Sequence, residues 1–144
     1  MQNTPLLHAV GSVLYLHIPK SNKEYIVDKN YPEYNNFVRG LMGELGEGLP
    51  GPMGGFQQLH KAATNDGALS VKFKELIALA IGITVRCDGC IAYHIADALK
   101  AGATRDEILE TIGVAILMGG GPSVVYGSEA YRALQQFEEE GLPA

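Results

Sequence analysis

The residues best suited to chemistry lie in one ten-residue segment, VRCDGCIAYH (85–94), which contains both cysteines of the chain and one of its four histidines. Cys87 and Cys90 form a CxxC pair. Such a pair can alternate between dithiol and disulfide, or it can bind a metal. A CxxC sequence by itself does not distinguish redox chemistry from zinc binding or from inert thiols, so the surrounding residues have to be considered.

The helix expected around the second cysteine favours a reactive thiolate. Asp88 is a suitable N-cap residue for a helix that runs to Lys100 and stops at Gly102. Cys90 then lies in the first turn, where unpaired backbone N–H groups and the helix dipole favour negative charge. Settings of this kind lower the pKa of reactive cysteines to roughly 3.5–7.5, against about 8.5 for a free thiol. The spacing therefore predicts a nucleophile at position 90.

Three further polar residues are candidates for proton transfer. His94 follows Cys90 by four residues, lies on the same helical face and can take or return the thiol proton. Asp97 falls on the same stripe and is expected to orient the imidazole. Glu75 interrupts the apolar run FKELIALAIGI, where an unpaired carboxylate is costly to bury. A carboxylate in that setting is suited to proton exchange with a thiol or a histidine.

Each of these residues also has an ordinary interpretation. His94 can be a surface residue of an amphipathic helix, and Glu75 a solvated residue near a helix start. A zinc site needs four ligands, of which Cys87, Cys90 and His94 supply three, so Glu75 or His60 would have to be the fourth. The chain has no second CxxC and no HxxxH. Metal binding is therefore the weaker interpretation.

The elements that must position these residues are predicted to be helices. Ser70 is a good N-cap for the segment 71–85, which is apolar on nearly every face and is therefore expected to be buried. Thr104 is expected to open the next helix after Lys100, with acids in its first turn. Further helices are expected over 30–45, over 56–64 and from Pro122 to about residue 140. The Gly- and Pro-rich segment 46–55 is predicted to be a connection.

The N-terminal region has a different pattern. SVLYLHI (12–18) predicts a short strand, and EYIV (24–27) is a candidate partner for a hairpin. The fold class predicted from the whole pattern is an all-α core with a short N-terminal β-hairpin. We expect one domain over 1–144, in which 1–30 is an extension. An all-round apolar helix in so short a chain also favours a homo-oligomer.

Composition narrows the function further. Hydrophobic residues make up 47% and charged residues 19%, as in globular proteins. A net charge of −5 without a Lys/Arg cluster argues against nucleic-acid binding. The apolar run at 5–18 is a poor signal peptide and too short to span a bilayer, so a cytoplasmic location away from membranes is expected. Thiols stay reduced there, which favours a catalytic or metal-binding pair over a structural disulfide.

The four spaced polar residues together resemble a known family. The pattern E-x11-C-x2-C-x3-H, formed by Glu75, Cys87, Cys90 and His94, resembles the carboxymuconolactone decarboxylase-like family and, within it, the alkyl hydroperoxidase D-like branch. The flanking helical segments are similar as well, and the similarity covers residues 35–136. The resemblance implies an all-helical bundle of the alkyl hydroperoxidase D type, assembled as a trimer or hexamer.

The resemblance also implies a role for each residue. Cys90 would attack a hydroperoxide, and Cys87 would then close a disulfide with it. His94 and Glu75 would form a proton relay to the thiol. No cofactor or metal is implied, but an external dithiol electron donor must reduce the disulfide, and the substrate is expected to be a hydroperoxide or another disulfide.

Two alternatives and one departure accompany this expectation. Gly89 stands where the best-studied hydroperoxidases of this type have a histidine directly before the second cysteine, so the peroxidase rate or the preferred reductant is expected to differ. The first alternative function is the lyase reaction that names the family, decarboxylation of a carboxymuconolactone. That reaction does not depend on a CxxC pair. The second is a non-catalytic, metal-binding oligomer.

Overall fold

The protein is helical over almost all of the chain that the structure describes. The computed structural model describes residues 29–142 and, before them, two short strands, β1 (Leu7–Val10) and β2 (Val13–Leu16). The helices in the described part are α1 (Tyr31–Gly48), α2 (Pro50–Thr64), α3 (Val71–Thr84), α4 (Asp88–Lys100), α5 (Arg105–Gly119) and α6 (Gly121–Glu139). The predicted all-α fold class is confirmed.

The two strands form an antiparallel hairpin in which Leu7 is opposite Leu16 and Val10 is opposite Val13. The strand predicted within 12–18 is therefore present, as β2. Its partner is β1, the segment directly before it. Two residues between the strands are enough to form the tightest hairpins. The predicted partner, EYIV (24–27), lies outside the described residues.

Helix starts follow the local sequence signals closely. The Ser70 hydroxyl accepts a hydrogen bond from the backbone N–H of Phe73 at 3.3 Å and so caps α3. The Thr104 hydroxyl accepts from the backbone N–H of Glu107, whose side chain accepts in return from the backbone N–H of Thr104. This reciprocal arrangement is a capping box at the start of α5. Both predicted caps are confirmed.

The predicted connection over 46–55 is wrong. Helix α1 continues to Gly48, α2 begins at Pro50, and Leu49 alone separates them. Proline at the first position of a helix loses no hydrogen bond, because the first N–H groups have no partner within the helix. Glycine lowers helix propensity without forbidding the helix. The composition that suggested a loop therefore marks the start of α2.

The hydrophobic core lies between α3, α4, α5 and α6. Helix α4 is central, and its apolar stripe is fully or almost fully buried. The largest buried aliphatic side chains are Leu79, Ile83, Ile91, Ile95, Leu99, Ile108 and Leu134. Helix α2, in contrast, has no buried residue and rests beside this core as an exposed arm. Packing in the core thus fixes the positions of α3 and α4, and α1 and α2 lie beside them.

The prediction that α3 is buried on nearly every face is wrong for the single chain. Phe73, Ile77 and Ile81 are 55%, 47% and 56% exposed. Helix α3 packs against α4, α5 and α6 on one side, and its other side is exposed in the described part of the chain. No helix in the described ranges is both long and apolar enough to cross a membrane.

Candidate active site

The two cysteines lie at the corner between α3 and α4, where they form a disulfide with their Cα atoms 5.2 Å apart. Cys87 is the N-cap of α4, and its sulfur accepts a hydrogen bond from the backbone N–H of Cys90 at 3.2 Å. The predicted cap, Asp88, is instead the first residue of the helix. Cys90 lies in the first turn, as predicted, among the N–H groups at the positive end of the helix dipole.

The corner itself is built by the end of α3. The backbone N–H of Cys87 donates to the carbonyl of Gly82, and that of Arg86 donates to the carbonyl of Ile83. These two bonds form a Schellman motif, in which the residue after the cap adopts a left-handed conformation. Arg86 has a φ of 62°, although glycine usually fills this position. The motif stops α3 and leads directly into the cap of α4.

Asp88 has an electrostatic role in place of the capping one. It is an acid in the first turn of α4, where the helix dipole stabilises negative charge. Its carboxylate also forms an ion pair with the Lys29 ammonium at 2.5 Å. Asp88, which directly follows Cys87, is thereby attached to the segment that leads into α1.

Glu75 and His94 meet one turn further along α4. The His94 Nδ1 atom lies 2.7 Å from the Glu75 Oε2 atom. Glu75 is 3% exposed, so this carboxylate is removed from water and has the imidazole as its partner. Because Nδ1 is occupied by the carboxylate, Nε2 is the ring nitrogen left for proton exchange. Of the residues in the E-x11-C-x2-C-x3-H pattern, the structure thus pairs Glu75 with His94 and Cys87 with Cys90, and Cys90 and His94 lie on successive turns of α4.

Asp97 does not orient His94, contrary to the prediction. Its Oδ1 atom accepts hydrogen bonds from Arg39 at 2.9 Å and from Lys100 at 3.0 Å. Both Glu75 and Asp97 were candidate partners of the imidazole, and the packing of the neighbouring helices determines which of them contacts it. Helix α3 places Glu75 against His94, and α1 places a guanidinium against Asp97.

A cavity of about 800 Å³ opens beside the disulfide. It lies between α1, α2 and the first half of α4, and both cysteines and His94 line it. Its apolar wall includes Val38, Met42, Met53 and Phe56, and its polar wall includes Arg39 and His60. Pockets of this size hold small organic molecules. Across the described ranges, no group of three or more His, Cys, Asp and Glu side chains is arranged to hold a metal ion.

Tyr93 organises the polar wall of this cavity. The Arg39 guanidinium lies over its ring, 3.7 Å from the centroid, which is a close cation–π contact. The imidazoles of His60 and His94 contact the same ring edge-on, with centroids 5.7 Å and 5.3 Å away. The Tyr93 ring thus packs against three side chains of the site. Sequence reasoning did not place Arg39 in the site, and it considered His60 only as a metal ligand.

The regions of similarity to known proteins include the helices that form this site. The sequence profile of the carboxymuconolactone decarboxylase family matches residues 50–133, more than half of the chain. The apo structure of a member of this family from Legionella pneumophila is 42% identical, with a TM-score of 0.71 over 74% of this chain and 96% of that one.

Two further relatives are similar over most of their own length. A family member from Thermotoga maritima is 34% identical, with a TM-score of 0.57 over 59% of this chain and 88% of that one. An uncharacterized protein of Cupriavidus necator is 44% identical over 88 residues, which are 61% of this chain and 78% of that protein. The chain belongs to the carboxymuconolactone decarboxylase family.

Proposed function

We propose that the protein is a thiol-dependent peroxidase of the alkyl hydroperoxidase D type, which reduces hydroperoxides through Cys90. The observation that carries the proposal is the order of two contacts along α4, the disulfide and the His94–Glu75 pair. A disulfide-forming cysteine lies in the first turn, and an imidazole bound to a buried carboxylate lies on the next. The contacts supply a nucleophile, a resolving thiol and a proton acceptor on one wall of a cavity.

The first step consumes the peroxide. His94, oriented by Glu75, takes the proton of the Cys90 thiol. The thiolate attacks the terminal oxygen of R–O–OH, an S–O bond forms and the O–O bond breaks. Cys90 becomes a sulfenic acid, and the alkoxide takes up a proton and leaves as the alcohol. The sulfur loses two electrons and the peroxide gains them.

The second step protects the sulfenic acid and resets the enzyme. The Cys87 thiol attacks the Cys90 sulfur, water leaves, and the disulfide forms. The short distance between the two residues, with Cα atoms 5.2 Å apart, supports this step. An external dithiol then reduces the disulfide by exchange. We expect no bound cofactor to take part.

The exposed apolar surface supports a homo-oligomer as the working form. Helices α3 and α5 expose large side chains that include Phe73, Ile81, Leu117 and Met118, which are 55–80% exposed. Apolar patches of this kind mark protein interfaces. We expect a trimer or a hexamer in which further copies of the chain cover them, with the cytoplasm as the compartment.

One relative supports the peroxidase proposal independently of the geometry. An involvement in the antioxidative response has been suggested for the Thermotoga maritima family member. The exposed position of the cavity beside the disulfide is consistent with a small oxidant that must reach the sulfur.

A mass measurement tests the proposal. Reduced protein is treated with one equivalent of cumene hydroperoxide, and its intact mass and free thiols are measured. We expect loss of two hydrogens and of both thiols, with Cys87 and Cys90 linked on peptide mapping. Cys90→Ser should abolish peroxide consumption. Two unreacted thiols in the wild type, or full peroxidase activity in the variant, would contradict the proposal.

The lyase that names the family is tested in parallel. A Cys87→Ser/Cys90→Ser double variant is incubated with a carboxymuconolactone, and consumption of the lactone is followed. Because that reaction does not depend on a dithiol, consumption by the double variant would favour the lyase over the peroxidase. We expect none.

A further inference from the structure

We propose that His60 is a second catalytic imidazole of this site, which protonates the alkoxide as the peroxide O–O bond breaks. This inference rests on the proposed peroxidase function and adds to it a residue from α2, a helix outside the CxxC corner. The S–O bond forms, the electron pair of the O–O bond moves to the RO oxygen, and the His60 imidazolium transfers its proton there, leaving ROH and neutral imidazole.

The position of His60 carries the first part of the inference. Its imidazole lines the cavity together with Cys90 and His94. It packs edge-on against the Tyr93 ring at an interplanar angle of 83°. Tyr93 follows Cys90 by three residues on α4, so the two side chains are neighbours on one face of the helix. The contact with Tyr93 therefore holds the second imidazole beside the face of α4 that presents the thiol.

The hydrogen bonding of His60 carries the second part. Its Nε2 atom is shielded from solvent and has no hydrogen-bond partner among the described residues. Two other polar side chains of the wall are paired: Arg39 donates to Asp97, and His94 bonds to Glu75. Buried polar atoms without a partner are rare in folded proteins. An imidazole nitrogen left without a partner in the wall of the cavity is explained if the ring turns toward a bound substrate and pairs with one of its oxygens.

The chemistry of the peroxide supplies the third part. A thiolate displaces an alkoxide from an alkyl hydroperoxide, and an alkoxide is a poor leaving group unless it is protonated as it leaves. His94 has its Nδ1 atom committed to Glu75 and uses the other nitrogen to accept the proton of Cys90. In an in-line attack the leaving oxygen is on the side of the peroxide away from the sulfur. A separate proton donor on another helix can protonate that oxygen.

The test compares two oxidants whose leaving groups differ. Reduced wild type and His60→Phe are mixed with tert-butyl hydroperoxide or with peracetic acid, and disulfide formation is followed in single turnover by rapid quench and mass spectrometry. Phenylalanine keeps an aromatic ring against Tyr93 but cannot donate a proton. We expect the variant to be about 100-fold slower with the alkyl hydroperoxide. We expect the wild-type rate with peracetic acid, because acetate leaves without being protonated.

Two controls separate proton donation from a structural effect. Alkylation of Cys90 by iodoacetamide should proceed at the wild-type rate in His60→Phe, because iodide needs no proton and the reaction reports the thiolate alone. Gln58→Ala, on the exposed surface of α2 and outside the cavity wall, should leave both oxidation rates unchanged. If His60→Phe fails to fold by circular dichroism, His60→Gln is used instead, since the amide can hydrogen-bond but does not transfer a proton at neutral pH.

Three results would overturn the inference. Equal slowing with both oxidants would mean that His60 shapes the site without donating a proton. Unchanged rates with both would mean that it takes no part in the reaction. A wild type that is oxidised by neither compound would overturn the peroxidase proposal itself, and that outcome is distinct because it appears before any variant is made.

Discussion

Replacement of Glu75 by glutamine tests the proton relay most directly. Glutamine has nearly the same shape as glutamate, and its amide oxygen can still accept a hydrogen bond from the His94 ring. The substitution therefore removes the charge and leaves the imidazole in place. We expect the fold to survive and the reaction of Cys90 to slow, because the imidazole that accepts the thiol proton has lost its charged partner.

The size of the effect follows from the contact. Glu75 is 3% exposed, and its carboxylate oxygen lies 2.7 Å from Nδ1 of His94, so water screens the interaction little. Hydrogen bonds to charged groups contribute about 1.5–3 kcal/mol and neutral ones about 0.5–1.5 kcal/mol, so loss of the charge alone costs about 1–1.5 kcal/mol. Since about 1.4 kcal/mol corresponds to a factor of ten in rate, Glu75→Gln should slow thiolate-dependent reactions roughly 5- to 15-fold.

The assay uses two reactions of the reduced protein at neutral pH. One is alkylation by iodoacetamide, with the modified cysteine identified by peptide mapping, and the other is oxidation by cumene hydroperoxide. A matched control is Glu107→Gln, since Glu107 also pairs with a cation, Lys72 at 2.6 Å, but lies outside the cavity wall. This control should be less stable than the wild type and react at the wild-type rate.

Two observations would refute the reasoning. The first is a Glu75→Gln protein that is alkylated and oxidised as fast as the wild type, which would mean that the buried carboxylate has a structural role alone. The second is preferential alkylation of Cys87, which would mean that the first turn of α4 does not activate Cys90. Circular dichroism shows whether Glu75→Gln is folded. If it is not, Glu75→Asp is used instead, because it keeps the charge on a shorter side chain.

Two further predictions concern packing and pH. A Cβ atom on Gly82 would lie 3.1 Å from the Cβ atom of Cys90, so Gly82→Ala should gain up to about 1 kcal/mol of helix propensity but lose about 1–3 kcal/mol to overpacking. Urea unfolding should therefore show a less stable protein, whereas Gly40→Ala, which meets nothing within 4 Å, should be stabilised. Burial, followed by the hydrogen bond to Glu129, raises the pKa of Tyr31 above its ordinary value of 10.0. Because an unfolded Tyr31 ionises near pH 10 and the folded one does not, the free energy of unfolding should fall as the pH rises above 10, and Tyr31→Phe should reduce that fall in denaturation curves at pH 8–11.

Helix starts were predictable because their signals are local. The hydroxyls of Ser70 and Thr104 bond to N–H groups three residues away, and no distant residue is needed to form these caps. The same local reasoning failed at Pro50. Glycine and proline are common both in loops and at helix ends, and the choice there depends on how α1 and α2 pack beside α4. Asp88 lost the capping position to Cys87 because the Schellman turn at the end of α3 places the Cys87 sulfur where it accepts the N–H of Cys90.

The surroundings of the site were predictable in part. The positions of Cys90 and His94 on one face of α4 follow from helical spacing, and the structure places them so. Arg39 and His60 come from α1 and α2. They precede Cys90 by 51 and 30 residues and belong to no motif. The exposed face of α3 could not be assigned at all from periodicity, because a helix that is apolar all round has the same pattern whether its partners are in the same chain or in another copy.

The pairing of Glu75 with His94 follows from the close approach of two helices at one glycine. Gly82 allows α3 and α4 to approach so closely that its missing side chain would touch Cys90. Glu75 precedes Gly82 by seven residues, or about two turns, and so lies on the same face of α3. His94 follows Cys90 by one turn on the facing stripe of α4. The contact between the glycine and the cysteine therefore sets the two helices in a register that brings the carboxylate to the imidazole. The spacing E-x11-C-x2-C-x3-H is, in physical terms, a description of that helix pairing, and a side chain at position 82 should disturb the relay as well as the packing.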